Sequence, residues 1–224
     1  MRVRKRAHIG TSGWHYKHWK GSFYPEGMNE QHFLGFYAGR FHTVEINSSF
    51  YRLPSIESLK SWKDSVPGHF LFAAKASRYI THMKKLKDPE KPVSKFLKRM
   101  EVLGDKLGPI LFQLPPRWNI NVERLDAFLQ ALPSGFRYAF EFRDPSWFHE
   151  HVFGLLARNE AAFCIYDLDC RQSPKEVTAP FVYIRLHGAG EPYKGKYDKS
   201  TLWEWARTIG AWAGEKKDVY FYFD

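Results

Sequence analysis

Three short runs of this chain pair apolar residues with polar groups two positions apart. They are Thr43-Val44-Glu45-Ile46-Asn47, Ala139-Phe140-Glu141-Phe142-Arg143 and Tyr183-Ile184-Arg185-Leu186-His187. In a strand, alternate side chains share a face. Glu45 therefore sides with Asn47, Glu141 with Arg143, and Arg185 with His187. The same parity in other runs adds Lys75 (with Ala73), Gln113 (with Leu111) and Asp224 (with Tyr220 and Tyr222). Buried charges are costly unless paired, so strands that end in such groups predict one shared polar site.

The chemistry available to that set is specific. Glu45 and Glu141 are the candidate catalytic acid and base, since two carboxylates in different environments can divide those roles. In glycoside hydrolysis their separation would set the stereochemical outcome. His187, whose ordinary pKa lies near neutrality, is the third catalytic candidate. Lys75, Arg143 and Arg185 would orient an anionic group, arginine through its planar fork. Asn47, Gln113 and Asp224 join them as binding residues, and Trp14 and Tyr51 would form a hydrophobic wall. A competing reading makes the charges structural: three acids face three bases and can fill a barrel as ion pairs. No cofactor is predicted. A divalent metal on Glu45, Glu141, His187 and Asp224 is the alternative, with an oxygen and nitrogen set suited to Mg, Mn or a transition metal. Three nearby cations argue against it.

Eight strands are predicted to position these residues: 8–12, 42–47, 69–76, 108–114, 136–143, 161–167, 180–187 and 218–224. Helical spacing appears between them, in Leu34, Tyr37, Ala38 and Phe41, in Leu125, Phe128, Leu129 and Leu132, and in Leu202, Trp205, Ala206 and Ile209. Strands alternating with helices imply parallel pairing, and eight of them imply an α/β fold, the (β/α)8 TIM barrel, as one domain over residues 1–224. Catalytic groups in such barrels sit at the C-terminal strand ends, where the polar set lies. A doubly wound dinucleotide-binding sheet is disfavoured, because no GxGxxG follows the first strand. The sixth strand is ambiguous: either Phe163, Ile165 and Asp167 or Cys164 and Tyr166 face inward.

The 224 residues carry a formal charge of +10. Ten Lys/Arg against four Asp/Glu between Lys75 and Lys106 supply much of it. A solvated face is the plain reading of that segment. The functional one is nucleic-acid association through Lys84, Lys85 and Lys87. No apolar run approaches the length of a membrane span, and the basic Met1–Arg6 stretch leads into strand one without a signal-type segment, so a cytoplasmic location is expected. Cys164 and Cys170 form no CxxC, and Cys164 reads as a small buried hydrophobe.

The motifs Gly10-Thr11-Ser12-Gly13-Trp14, Phe23-Tyr24-Pro25, Glu45-Ile46-Asn47-Ser48-Ser49-Phe50-Tyr51, Ile80-Thr81-His82, Phe112-Gln113-Leu114-Pro115-Pro116, Glu141-Phe142-Arg143, Arg185-Leu186-His187-Gly188 and Tyr220-Phe221-Tyr222-Phe223-Asp224 resemble the YecE-like family. The resemblance runs over essentially the whole chain and implies a TIM barrel without implying a reaction. Members of that family continue past the last strand into a short turn and a final helix, whereas this sequence stops at Asp224. The expectation is a barrel lacking its final helix, with the outer face of the last strand (Val219, Phe221, Phe223) in need of another cover. The function expected overall is an enzyme, a hydrolase or isomerase without a redox cofactor, acting on a small anionic or sugar-like metabolite at the C-terminal face. A non-catalytic ligand-binding barrel is the remaining alternative.

Overall fold

The computed structural model describes residues 7–169, 171–191 and 194–224; Cys170 and Met1–Arg6 lie outside them. Its strands are β1 (Ala7–Thr11), β2 (Thr43–Ile46), β3 (Leu71–Lys75), β4 (Leu107–Gln113), β5 (Tyr138–Glu141), β6 (Ala162–Leu168), the two-residue β7 (Arg171–Gln172), β8 (Phe181–Leu186) and β9 (Asp218–Phe223). The sheet order is β1-β9-β8-β6-β5-β4-β3-β2, all parallel, with β7 antiparallel on the edge of β6. β1 and β2 close the circle through an isolated Ser12–Glu45 bridge, and the Gly13 N–H donates to the Glu45 carbonyl at 2.8 Å. The molecule is a barrel of eight parallel strands with helices between them.

Two features make the closure. A Cβ built on Gly10 would lie 2.2 Å from the Thr43 carbonyl oxygen, so only glycine lets β1 come this near β2. The remaining gap is bridged by Tyr37 on the short helix α1 (Phe33–Ala38): its hydroxyl accepts from the Thr11 N–H at 2.9 Å and donates to the Thr43 carbonyl at 3.1 Å. Backbone groups that the seam leaves without a ladder partner are thereby satisfied.

The outer helices start where the sequence supplies a cap. Ser55 caps α3 (Ile56–Asp64), Asn121 caps α5 (Val122–Gln130), His149 caps α6 (Glu150–Arg158) and Asp198 caps α7 (Lys199–Gly214), each accepting from a first-turn N–H. The four-residue α2 (Ser48–Tyr51) follows β2 directly, and α4 (Glu90–Met100) buries Val93, Phe96, Leu97 and Met100. Between β6 and β8 the described residues form no helix. The Ser173 and Thr178 hydroxyls in that connection accept from the Tyr166 and Phe163 N–H groups of β6, each at 2.8 Å.

On the outside, α7 buries Trp205 and Ile209 but leaves Leu202 and Ala206 exposed, a narrower apolar face than its spacing predicts. Trp205 covers Phe221 at 5.6 Å between ring centroids, and Val219 and Phe221 are buried. The expectation that the outer face of the last strand lacks cover is therefore overturned, because the helix preceding that strand already packs on it. On the inside, Phe181, Tyr183, Tyr220 and Tyr222 from β8 and β9 fill the lower barrel against Ala73, Ala139, Ala162 and Cys164 from β3, β5 and β6. Large side chains on one wall meet small ones on the other. Among the described residues, no helix is long and apolar enough to cross a membrane.

Candidate active site

Arg185 stands at the centre of the barrel, wholly buried. Its Nη2 donates to Glu45 Oε1 at 2.8 Å, to Asp224 Oδ2 at 3.1 Å and to Ser12 Oγ at 3.2 Å. Nε donates to Glu45 Oε1 at 3.1 Å. Nη1 donates to Glu141 Oε2 at 2.9 Å and approaches His187 Nε2 at 3.2 Å. A guanidinium has five N–H donors, and here all are engaged. Arg185 is thus the hub of an internal ion-pair lattice with no donor left for a ligand.

The carboxylates are equally occupied. Glu45 also accepts from Ser12 Oγ at 3.0 Å and from the Tyr183 hydroxyl at 2.6 Å. Glu141 pairs with Arg143 Nε as well as Arg185, and the Cys164 thiol lies 3.8 Å from it. Burial alone would raise the Glu141 carboxyl, but Arg143 and Arg185, with His187 and Lys75, outweigh it and hold the pKa well below the usual carboxylate range. For Asp224, burial is likewise outweighed, here by the hydrogen bond from His187 and the charge of Arg185.

His187 is a connector in this lattice. Nδ1 lies 2.8 Å from Asp224 Oδ2, while Nε2 faces Arg143 Nη2 at 3.0 Å and Arg185 Nη1 at 3.2 Å. Both guanidinium nitrogens are donors, so Nε2 must accept and the proton sits on Nδ1, pointing at Asp224. Burial and the Arg185 charge lower its pKa, which agrees with a neutral ring.

Two cationic groups keep free capacity. Arg143 spends Nε on Glu141 and Nη2 on His187, which leaves Nη1 without a hydrogen bond to any described residue. Its guanidinium lies over the Tyr166 ring at 5.0 Å. The carbonyl of Lys75, the last residue of β3, accepts from the Ser49 hydroxyl at 2.6 Å, but its Nζ makes no ion pair or hydrogen bond with a described residue and rests 4.5 Å from the centroid of Phe50. Burial and the nearby Arg185 bring the amine down to about 8, against the opposing pull of the three carboxylates. A cation–π contact is worth about 2 kcal/mol or more when desolvated, but it leaves the ammonium hydrogens without an oxygen acceptor.

Acceptors without partners flank this amine. Asn47 Oδ1 and Gln113 Oε1 are buried and accept no hydrogen bond. Register explains their position: Ile46 pairs with Ala74 and Lys75 with Leu111, so Asn47 follows β2 beside Lys75, and Gln113 lies two residues beyond its partner on the same face. His82 completes the group. Its edge meets Phe50 at 4.9 Å, Thr81 Oγ1 lies 2.9 Å from its Nδ1, and burial with Lys75, Arg78 and Arg143 brings it down to about 4. Positive charge therefore surrounds a neutral imidazole. Tyr16 lies over the opposite side, its hydroxyl donating to the Ser12 carbonyl; burial and the Asp224 and Glu45 charges push it up to about 12.

The structure gathers Glu45, Asn47, Lys75, Gln113, Glu141, Arg143, Arg185, His187 and Asp224 at the C-terminal strand ends, and it separates two of the expected residues from them. Tyr51 is 73 % exposed and touches Phe50 edge-on; Phe50, not Tyr51, faces Lys75. Trp14 packs mostly into the outer core against Trp62 and Phe72. It still lines a cleft of about 630 Å³ between the first two loops, which Tyr16 and Asn47 share. Parity alone leaves out Ser12, Tyr16, His82, Cys164 and Tyr183. Among the described residues no three His, Cys, Asp or Glu side chains converge to hold a metal ion, since Arg185 occupies the space between the acids. Of the basic segment, Lys84 pairs with Asp88 at 2.9 Å, Lys85 leans over Trp118 at 5.9 Å, and Lys87 is exposed.

Comparison with other proteins agrees with this architecture. The family described as "Protein of unknown function DUF72" matches residues 8–224. The UPF0759 protein YecE of Escherichia coli is 34% identical over 113 residues, which are 50% of this chain and 42% of that protein, so the match spans less than half of the relative's length. The UPF0759 protein YunF of Bacillus subtilis is 24% identical, covering 97% of this chain and 88% of its own. Among solved structures, a DUF72 family protein of Thermotoga maritima superposes with a TM-score of 0.84 at 26% identity, covering 98% of this chain and 92% of its own. One from Enterococcus faecalis gives 0.76 at 20% identity, which speaks for the fold alone. The motifs, the barrel and the match along nearly its full length agree: the chain belongs to the DUF72 family.

Proposed function

We propose that this barrel is an enzyme that binds a small metabolite carrying an anionic group and hydrogen-bond donors at its C-terminal face. The observation that carries the reading is the residue of unspent groups once the lattice is complete. Among the described residues, Lys75 Nζ and Arg143 Nη1 are cationic donors without hydrogen-bond partners, and Asn47 Oδ1 and Gln113 Oε1 are buried acceptors without partners. Orphaned buried polar atoms cost about 1–3 kcal/mol each, a cost that a ligand with complementary groups would remove. In this reading Arg143 receives the anion, Asn47 and Gln113 accept from hydroxyl or amino groups, and Lys75 moves a proton. Glu45, Glu141, His187 and Asp224 hold Arg185 and Arg143 in place. Isomerisation by proton transfer then fits better than hydrolysis, because both glutamates are held as ionised partners of arginine. The cleft beside Asn47, walled by Trp14 and Trp62, would take the uncharged part of the molecule. A cytoplasmic setting suits the free, buried thiol of Cys164.

A thermal-shift panel of sugar phosphates, organic acids and neutral sugars tests this. A ligand present at 100 times its dissociation constant adds about 2.7 kcal/mol. The expected outcome is stabilisation by an anionic compound that Arg143→Met weakens at least tenfold. Stabilisation by neutral sugars alone, indifferent to Arg143→Met, would contradict it.

A further inference from the structure

The barrel holds one amine placed unlike its other cations. Arg185 and Arg143 are bound into the lattice, whereas Lys75 projects from the end of β3 onto the ring of Phe50, its Nζ without a hydrogen bond or ion pair among the described residues. A structural lysine at this depth is expected to claim a carboxylate, and three stand nearby; all three are taken by arginine instead. The arrangement keeps the amine partly desolvated and near another positive charge, Arg185.

We propose that Lys75 is a covalent nucleophile that forms an imine with the carbonyl group of an anionic aldehyde or ketone. This rests on the small-anion reading above and narrows it to carbonyl compounds. A lysine is activated for such chemistry by an apolar contact and by neighbouring cations, and Phe50 with Arg185 supply both. The amine, brought down to about 8, holds an appreciable neutral fraction at physiological pH.

The step balances without a redox partner. The Nζ lone pair attacks the carbonyl carbon and a C–N bond forms. An amine proton passes to the oxygen. A second proton from solvent lets that oxygen leave as water, and the C=N bond forms as a protonated imine. The product carries the same single positive charge as the ammonium it replaces, so the field of Glu45, Glu141 and Asp224 that offsets Lys75 serves the iminium equally. Arg143 Nη1 would take the carboxylate or phosphate of the substrate, and Asn47 Oδ1 and Gln113 Oε1 would accept from its hydroxyls.

The experiment is reductive trapping on the full chain. The protein is incubated with pyruvate, glyoxylate or dihydroxyacetone phosphate, and with acetone as an uncharged control, then treated with borohydride and mapped by peptide mass spectrometry. The expected result is a single reduced adduct on Lys75 from at least one anionic carbonyl. It is absent in Lys75→Arg and about tenfold less abundant in Arg143→Met, as loss of one charge-assisted hydrogen bond predicts. Acetone should give at most a trace. Adducts spread evenly over surface lysines, or none at Lys75, would overturn the imine. The two readings separate cleanly: if anions that lack a carbonyl, such as a sugar-alcohol phosphate, still stabilise the protein through Arg143, only the imine has failed. If no anion does, both have.

Discussion

At the residue scale the account turns on which charges are spent. Arg185 satisfies every donor inside the protein, and Glu45 and Glu141 are both paired with arginine. Removing one partner of a buried pair costs about 3–5 kcal/mol because the other charge is stranded. Arg185→Met, which leaves Glu45 without a cation and takes one partner each from Glu141 and Asp224, should destabilise by at least that amount in chemical denaturation. Lys75→Met should do the opposite and stabilise by about 1–3 kcal/mol at neutral pH, since it removes a half-buried amine whose lowered pKa marks it as destabilised when charged. Equal losses in both variants would mean that Lys75 belongs to the lattice. Parity in the sequence found most of this set because polar pairs two apart on a strand declare a face. It left out Tyr183, although that residue shares a face with Arg185, because a tyrosine in an apolar run reads as core. Cys164 stayed undecided because both faces of β6 are apolar, and its inward side shows only in the packing against Tyr183 and Ala139.

At the scale of elements, all eight barrel strands were legible from their apolar runs and turn residues, with ends shifted by at most two residues. Tyr51 shows where that reasoning stops. Strand alternation ends at Ile46, and α2 begins at Ser48. Helical rotation then turns Phe50 inward and Tyr51 outward, which no two-residue period predicts. Barrel closure was hidden for a similar reason, since it depends on a contact between residues far apart in sequence. Gly10→Ala tests it: a Cβ at 2.2 Å from the Thr43 carbonyl oxygen must push β1 and β2 apart. A loss of about 3 kcal/mol is expected, together with weaker ligand response, because Ser12 and Glu45 lie on the same seam. A variant as stable as the parent would show that the seam tolerates separation.

At the scale of the whole molecule, the shifted groups make one prediction of sign. His187 is lowered from 6.5, and Glu141 and Asp224 from 4.5 and 3.8. In each case the unfolded chain binds protons at a pH where the folded one does not, so unfolding free energy falls as pH falls. The histidine contribution is lost from about 6.5 downward, and those of the carboxylates below about 4. Denaturation midpoints measured between pH 8 and pH 3 should decline throughout that range, most steeply at the acidic end. A stability maximum at acidic pH would contradict an ionised lattice. Lys75 apart, the charge excess of the 75–106 segment, prominent in the sequence, has no comparable consequence for the barrel interior: Lys84 pairs with Asp88, Lys106 donates to the Lys63 and Val66 carbonyls, and Lys85, Lys87, Lys91, Lys95 and Lys98 are exposed.

The central claim is that the interior ion pairs are complete without Lys75. The most direct test is the pH dependence of Lys75 modification by a small amine-reactive reagent, followed by peptide mass spectrometry. A midpoint near 8, well below that of the surface lysines, is the predicted result. A midpoint near the ordinary 10.5, or protection of Lys75 from the reagent at every pH, would place the amine inside the lattice and contradict the account.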